Sequence, residues 1–266
     1  MSAPAEHARD ALALRRYALF DAAGLTSAQR EVLDGQGSEG GHHFYADLAD
    51  AATREAEPLM YEATPECVKV VESLWADPEK RWAASVLSSP LSIGELAQRL
   101  GRIRYVNTQD GQRYFFRFAD SRCFEAMHRA LEPSNRSRLL AGWCEWRACA
   151  RDGRSIELHG EPDGQALVFA LRLSANELDR LLHMLWPDQL LASVHELIPD
   201  QRRSQDAALQ HDWMQRLCGI FEQFDVEAYP VQIDAAVRVL HSEGQLLDDP
   251  AFVSSIARSA KASDAS

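Results

Sequence analysis

The sequence predicts an α/β N-terminal lobe, a mixed sheet flanked by helices, followed by an all-α C-terminal lobe: α+β overall. Three observations predict it. Up to about residue 150, short apolar or alternating runs interleave with stripes at helical spacing, without internal repeats. From about residue 173 onward every apolar pattern has the three-and-four spacing of a helix. Residues 103–131, IRYVNTQDGQRYFFRFADSRCFEAMHRAL, change period from two to about 3.6 after Asp120, so a strand pair feeds directly into a helix. These shifts divide the chain into a flexible leader (1–15), an α/β domain (16–150), a connecting hairpin or linker (151–172), a helical lobe (173–256) and a disordered tail (257–266).

In chain order, YALFDA at residues 17–22 is an apolar run closed by Ala-Ala-Gly and reads as a buried strand. Residues 27–33 read as a short helix, 34–41 as a glycine-rich loop, 44–56 as helix-compatible and 59–63 as a second strand. Thr64-Pro65-Glu66 is a helix start, with an N-cap hydroxyl, a proline at the first position and an acid in the first turn. Val68, Val71, Leu74 and Trp75 form its stripe until Asp77-Pro78. Residues 82–87 read as a third strand. Ser92 and Glu95 form a capping box for a helix that Gly101 is expected to stop.

Asp110-Gly111 between alternating runs is a hairpin turn, because a tight turn needs positive φ at its centre. The return strand, residues 113–118, places Tyr114, Phe116 and Phe118 on one face and Arg113, Phe115 and Arg117 on the other. A two-residue loop would set Arg104 opposite Arg117, where like charges repel. Either the loop is longer, or a carboxylate such as Asp21 or Asp120 lies between them. The following helix carries Cys123 or Phe124, Met127 and Leu131. Trp143, Trp146, Asp152-Gly153 and residues 156–158 suggest another hairpin. The C-terminal lobe then reads as four helices: one opened by Ser174 and Glu177, one at 190–197 after a break at Pro187, one through Trp213–Phe224, and one ending near Gly244.

Forty acidic against 28 basic residues give a net charge of −12, which opposes sequence-independent nucleic-acid binding. The five cysteines form no C-x-x-C pair and read as buried hydrophobes in a reducing compartment. Charges interrupt the N-terminal stretch, and no run approaches eighteen apolar residues, so neither a signal peptide nor a membrane span is expected. These readings place the chain in the cytoplasm.

Candidate chemistry is sparse. Residues 35–40 match G-x-G-x-x-G, but a helix precedes them where a phosphate cradle needs a strand, and Asp34 and Glu39 would repel an anion. His42 and His43 with Asp47 and Asp50 have the ligand types of a metal site, yet adjacent histidines rarely point the same way. His183 and His195 stand alone on apolar helices, Cys144 and Cys149 lie among tryptophans, and Asp248-Asp249-Pro250 reads as a loop. No catalytic, cofactor-binding or metal site is assigned, and the chain is expected not to be an enzyme.

YALFDAAG, followed by SSPLSIGELAQRLGRIRYVNTQDGQRYFFRFADSRCF, resembles the adaptor-chaperone domain of type VI secretion systems, domain-of-unknown-function family 4123. The family's F-R-F-x-D-P-R-V-L motif is met at Phe116, Arg117, Phe118, Asp120 and Arg122; Ser121 stands where the family usually has proline, and Phe124 closes the motif. The helical segments at 171–200 and 216–252 resemble the region that follows this domain, so the likeness covers roughly residues 17–255. The resemblance implies no cofactor and a protein-binding role. Its partners would be a secreted toxin effector, held in the producing cell, and the VgrG-type spike protein onto which that effector is loaded; neither nucleic acid nor membrane is a partner. The five motif residues are implied to be structural or to support an interface. A reading from a different class is a small-molecule enzyme that uses Arg117 and Arg122 to bind an anionic substrate.

Overall fold

A computed structural model describes residues 14–35, 41–46, 55–162, 170–199 and 206–263. The chain divides into two compact units, residues 1–175 and 176–266. The expected leader up to residue 13, most of the glycine-rich loop (36–40) and the acid-bearing stretch 47–54 lie outside the described residues.

The first unit is built on a six-stranded sheet. Its strands are β1 (Arg15–Asp21), β2 (Gly41–His43), β3 (Pro58–Glu62), β4 (Ala84–Ser89), β7 (Glu145–Cys149) and β8 (Ser155–His159), in the order β2-β3-β1-β4-β7-β8. Every pairing in it is antiparallel. The expected mixed sheet is therefore found elsewhere, in a second, three-stranded sheet of order β6-β5-β9. There β5 (Tyr105–Thr108) pairs antiparallel with β6 (Arg113–Phe115) and parallel with β9 (Leu171–Leu173).

Both faces of the large sheet are covered, which is why β1 reads as a continuous apolar run. Ala18 and Phe20 join a cluster with Leu33 of α1 (Ser27–Asp34) and Cys67, Val70, Val71 and Leu74 of α2 (Pro65–Ala76). On the other face Tyr17, Leu87 and Trp146 lie in register. Trp146 meets Phe124 of α4 (Ser121–Ala130) with ring centres 4.6 Å apart, and the Tyr17 hydroxyl donates to the Leu91 carbonyl ahead of α3 (Ile93–Ile103) at 2.6 Å.

Two helix starts are those the sequence marks, whereas the helix through Trp213 begins earlier, at Ala207, and a helix opens at Pro250 where a loop was expected. Thr64 caps α2 through the Cys67 N–H, and Ser92 with Glu95 closes a reciprocal box on α3. Trp82 lies in a short 3-10 turn before β4 rather than in the strand. Gly101 does not stop α3, which continues to the buried Ile103. A short helix, α5 (Pro133–Leu139), is an addition to the expected set.

The second unit is helical, with a core drawn from α6 (Ala175–Leu197), α7 (Ala207–Gln223), α8 (Tyr229–His241) and α9 (Pro250–Ser263). Pro187 is buried inside α6 and does not divide it. Leu190 and Val194 pack with Met214, Leu217, Phe221, Val239, Leu240, Phe252 and Ile256. Gly244 turns the chain after α8 at φ +79, and a Cβ there would collide with the Trp213 ring. Helix α9 continues to Ser263, through much of the stretch expected to fray.

Candidate functional site at the strand-to-helix corner

The hairpin settles how its arginines are placed. Tyr105 pairs with Phe115 and Asn107 with Arg113, so the loop comprises three residues, 109–111, with Gly111 at φ +84. The Thr108 carbonyl accepts from Gly111 N–H and the Thr108 hydroxyl bonds Asp110, which closes the turn. Strand β6 ends at Phe115, earlier than expected, so Arg117 leaves the ladder and never faces Arg104. The longer loop is the arrangement found, and a carboxylate receives Arg117.

That carboxylate is Asp21, at the end of β1. Its Oδ2 accepts from Arg117 Nη2 at 2.8 Å and Nε at 3.2 Å, while Oδ1 accepts the Ala23 N–H and caps the turn after the strand. Asp120 occupies the matching position ahead of α4. It accepts the Arg122 N–H at 3.0 Å as N-cap, and it accepts Arg122 Nε at 2.9 Å and Nη2 at 2.6 Å in a two-pronged pair. Arg117 Nη1 approaches the same carboxylate at 3.9 Å. Trp82 carries both guanidinium groups, with Arg122 centred 4.4 Å and Arg117 5.5 Å from its ring centre.

The two aromatic motif residues hold this corner in the core. Phe118 is fully buried and meets Phe44 edge-on at 5.0 Å, and Phe116 stacks on Phe124 at 6.2 Å. Ser121 is the first helical residue of α4, where proline suits the family because that N–H has no partner inside the helix. Serine there forfeits only the pre-set φ, since Asp120 supplies the cap.

The two acids are equally buried but unequally served. Burial, together with the neighbouring Asp120 charge, outweighs Arg117 and lifts Asp21 from 3.8 to about 6. Burial also opposes ionisation of Asp120, yet Arg122 and then Arg117 outweigh it and hold its carboxyl below the usual range. Arg117 is held charged by the two acids against its own desolvation. Tyr45, fully buried and edge-on to Phe115 at 4.9 Å, has its hydroxyl raised by burial and by the Asp21 charge.

The structure thus gathers all five motif residues, Phe116, Arg117, Phe118, Asp120 and Arg122, at one corner. It adds two residues to them. Asp21 was anticipated as a partner; Trp82 was not, because nothing in its neighbourhood marks a platform for two cations that lie at least 35 positions later in the chain. Chemically the corner is a closed ion network of two carboxylates and two guanidinium groups. Arg117 and Arg122 each give Nε and Nη2 to these carboxylates, while their side chains remain 36% and 28% exposed.

The other candidates separate. Gly35 caps α1 and the chain re-enters as strand β2, not as a helix over a phosphate. His42 packs edge-on against Phe44 at 4.7 Å, while His43 Nδ1 lies 3.3 Å from the buried Glu57; Asp47 and Asp50 lie outside the described residues. His195 meets Gln210 at 2.8 Å and His183 meets Glu222 at 2.8 Å. Cys149 is buried, which raises its thiol above the ordinary value. Among the described residues no three His, Cys, Asp or Glu side chains are grouped as metal ligands, and no helix is long and apolar enough to cross a membrane.

Fold and corner together define the class: an α/β domain whose arginine-acid motif is an internal brace, followed by a helical unit. Residues 16–138 match the family described as Domain of unknown function (DUF4123), so the chain carries a DUF4123 domain over that span. The match takes in β1 to β6 and the whole ion network, and it ends within α5, before β7, β8 and the helical unit. No curated protein and no solved structure matches the chain.

Proposed function

We propose that this protein is an adaptor chaperone, one that binds a toxic effector in the producing cell and promotes its loading onto the spike of a type VI secretion system. The carrying observation is the DUF4123 match at residues 16–138, with Phe116, Arg117, Phe118, Asp120 and Arg122 of the motif present in order and folded into a brace. Arg117 and Arg122 neutralise Asp21 and Asp120 inside the chain, so the motif builds the domain and leaves recognition to other surfaces. The partners on this reading are the secreted effector and a VgrG-type spike protein, and the protein works by binding rather than by turnover.

Co-expression with the toxin encoded beside it, followed by size-exclusion chromatography, tests the reading. Co-elution of the two chains is the expected result. Separate elution at several salt concentrations would overturn it.

A further inference from the structure

The hairpin that leads into the corner has a second side. In the three-stranded sheet Val106, Thr108, Leu171 and Leu173 face inward and are buried. Register places Tyr105, Asn107, Arg113, Phe115 and Arg172 together on the opposite face. That face is partly covered, because Tyr45 packs edge-on against Phe115 at 4.9 Å, but Arg113 and Arg172 are exposed and Phe115 is 41% exposed despite its size. The Arg113 guanidinium lies 4.0 Å from the centre of the Tyr105 ring. Among the described residues Arg113 has no carboxylate partner within ion-pair distance, and the Arg172 side chain donates to the Gln109 carbonyl at 3.3 Å. On a chain of net charge −12 this is a local surplus of positive charge on an aromatic floor.

Strand β6 is also an edge. Phe116 N–H donates to the Arg104 carbonyl and Thr108 N–H to the Gln112 carbonyl, so Gln112, Tyr114 and Phe116 turn their backbone groups toward β5. Antiparallel alternation then turns the N–H and C=O of Arg113 and Phe115 outward, where among the described residues no strand pairs with them. The same two residues therefore offer both the free backbone and the exposed side chains. A strand added to that edge would set one of its residues beside Arg113 and another, two positions along, beside Phe115.

We propose that β6 is a docking edge for an extended acidic segment of a partner protein, with an aspartate or glutamate beside Arg113 and an apolar residue two positions away beside Phe115. The proposal rests on the adaptor reading for which protein supplies the segment, but not for the surface itself. The opposing view is that Arg113 guards the edge against pairing, as charges on edge strands do. A guard repels every strand alike; a docking residue selects by charge.

The probe is a blocked nine-residue peptide repeating Glu-Thr-Val-Thr, and the same peptide with lysine for glutamate, each followed by fluorescence anisotropy with the full chain. The wild type should prefer the glutamate peptide by about tenfold, and Arg113→Glu should reverse the preference. Hydrogen exchange should show new protection at Arg113 and Phe115 when the glutamate peptide is bound. Equal affinity for the two peptides, an unchanged preference in Arg113→Glu, or protection confined to another strand would overturn the proposal. So would binding of an oligothymidylate that Arg113→Glu abolishes, since that assigns the face to nucleic acid. If the neighbour-encoded toxin co-elutes equally with wild type and Arg113→Glu, the adaptor reading stands and this edge is not its docking site. If no toxin co-elutes but the peptide preference holds, the edge stands and the adaptor reading falls.

Discussion

Arg113 and Arg117 lie four positions apart on one short segment and do opposite things. Arg117 reaches a carboxylate that is 1% exposed, and removing the arginine would leave that group without its partner in the core. Arg113 lies over an aromatic ring with its charge toward water. The difference does not come from the arginines, whose side chains are chemically identical. It comes from where β6 stops: the strand ends at Phe115, the last bond to β5 is made by Phe116 N–H, and beyond it Arg117 reaches Asp21. A buried acid converts a surface residue type into framework, and its absence leaves the same residue free for recognition.

Mutation of the corner should break this contrast most strongly. Arg117→Ala leaves Asp21 and Asp120 buried side by side with Arg122 alone to balance them, and should cost about 3 kcal/mol. Urea denaturation followed by circular dichroism reads this directly, and soluble yield should fall with it. A well-folded Arg117→Ala protein that had lost only its partner would assign Arg117 to the interface and dissolve the distinction.

Asp120→Ala should cost less, about 2 kcal/mol, part of it the lost helix cap. Arg122 is partly exposed and can turn to solvent, and Arg117 keeps Asp21, so no buried charge is left without a partner. Asp120→Asn should recover the cap share of the loss, because its side-chain oxygen can still accept the Arg122 N–H. If Asn and Ala variants unfold at the same urea concentration, the cap contributes nothing and the ion pair carries the whole effect.

Much of this architecture is legible in local chemistry. Thr64-Pro65 and the Ser92/Glu95 box mark helix starts because capping needs only residues within a turn of one another. The motif corner was legible as a cluster, and Asp21 as a possible partner, because a lone strand arginine calls for an acid. What escaped was decided by distant packing. Gly101 carries a cost of about 1 kcal/mol in a helix, which burial of Leu100 and Ile103 on either side exceeds. Pro187 costs about 3 kcal/mol in a helix interior, but Leu181, Leu190, Leu191 and Val194 bury the turns around it. The run YALF suggested a buried strand but not its pairing; here an antiparallel sheet is covered on both faces, and a single strand's pattern cannot distinguish that from a parallel one. Trp82 escaped because the cations it supports come from another part of the chain.

Acid titration separates the two carboxylates with a smaller net change. The folded pKa of Asp21 is raised, so its contribution is fully present below 3.8 and is lost as pH rises from there to about 6. The folded pKa of Asp120 is depressed, so its contribution is present above 3.8 and is lost as pH falls further. The corner should therefore be most favourable near pH 4, with a decline on either side. Asp21→Asn, which keeps an oxygen for the Ala23 N–H, should abolish the decline between 3.8 and about 6 and leave the acid limb. Urea midpoints across that range give the profile, and an unaltered upper limb would mean that Asp21 is not the titrating group.

The weakest effect is the sharpest test of the contrast. Arg113→Ala removes a cation lying over the Tyr105 ring, an interaction that at an exposed site contributes about 0.5 kcal/mol. Nothing buried is orphaned, because neither the Tyr105 ring nor the outward backbone of β6 depends on that charge for a hydrogen bond. Stability should accordingly change by about 0.5 kcal/mol, while preference for an acidic strand is lost. Arg117→Ala inverts the pattern, with a large loss of stability and no separate effect on peptide preference in whatever fraction remains folded. A loss above about 1.5 kcal/mol for Arg113→Ala lies outside the surface range and would place the hairpin's cations in the framework with Arg117. Burial of a carboxylate would then no longer be what separates the two arginines.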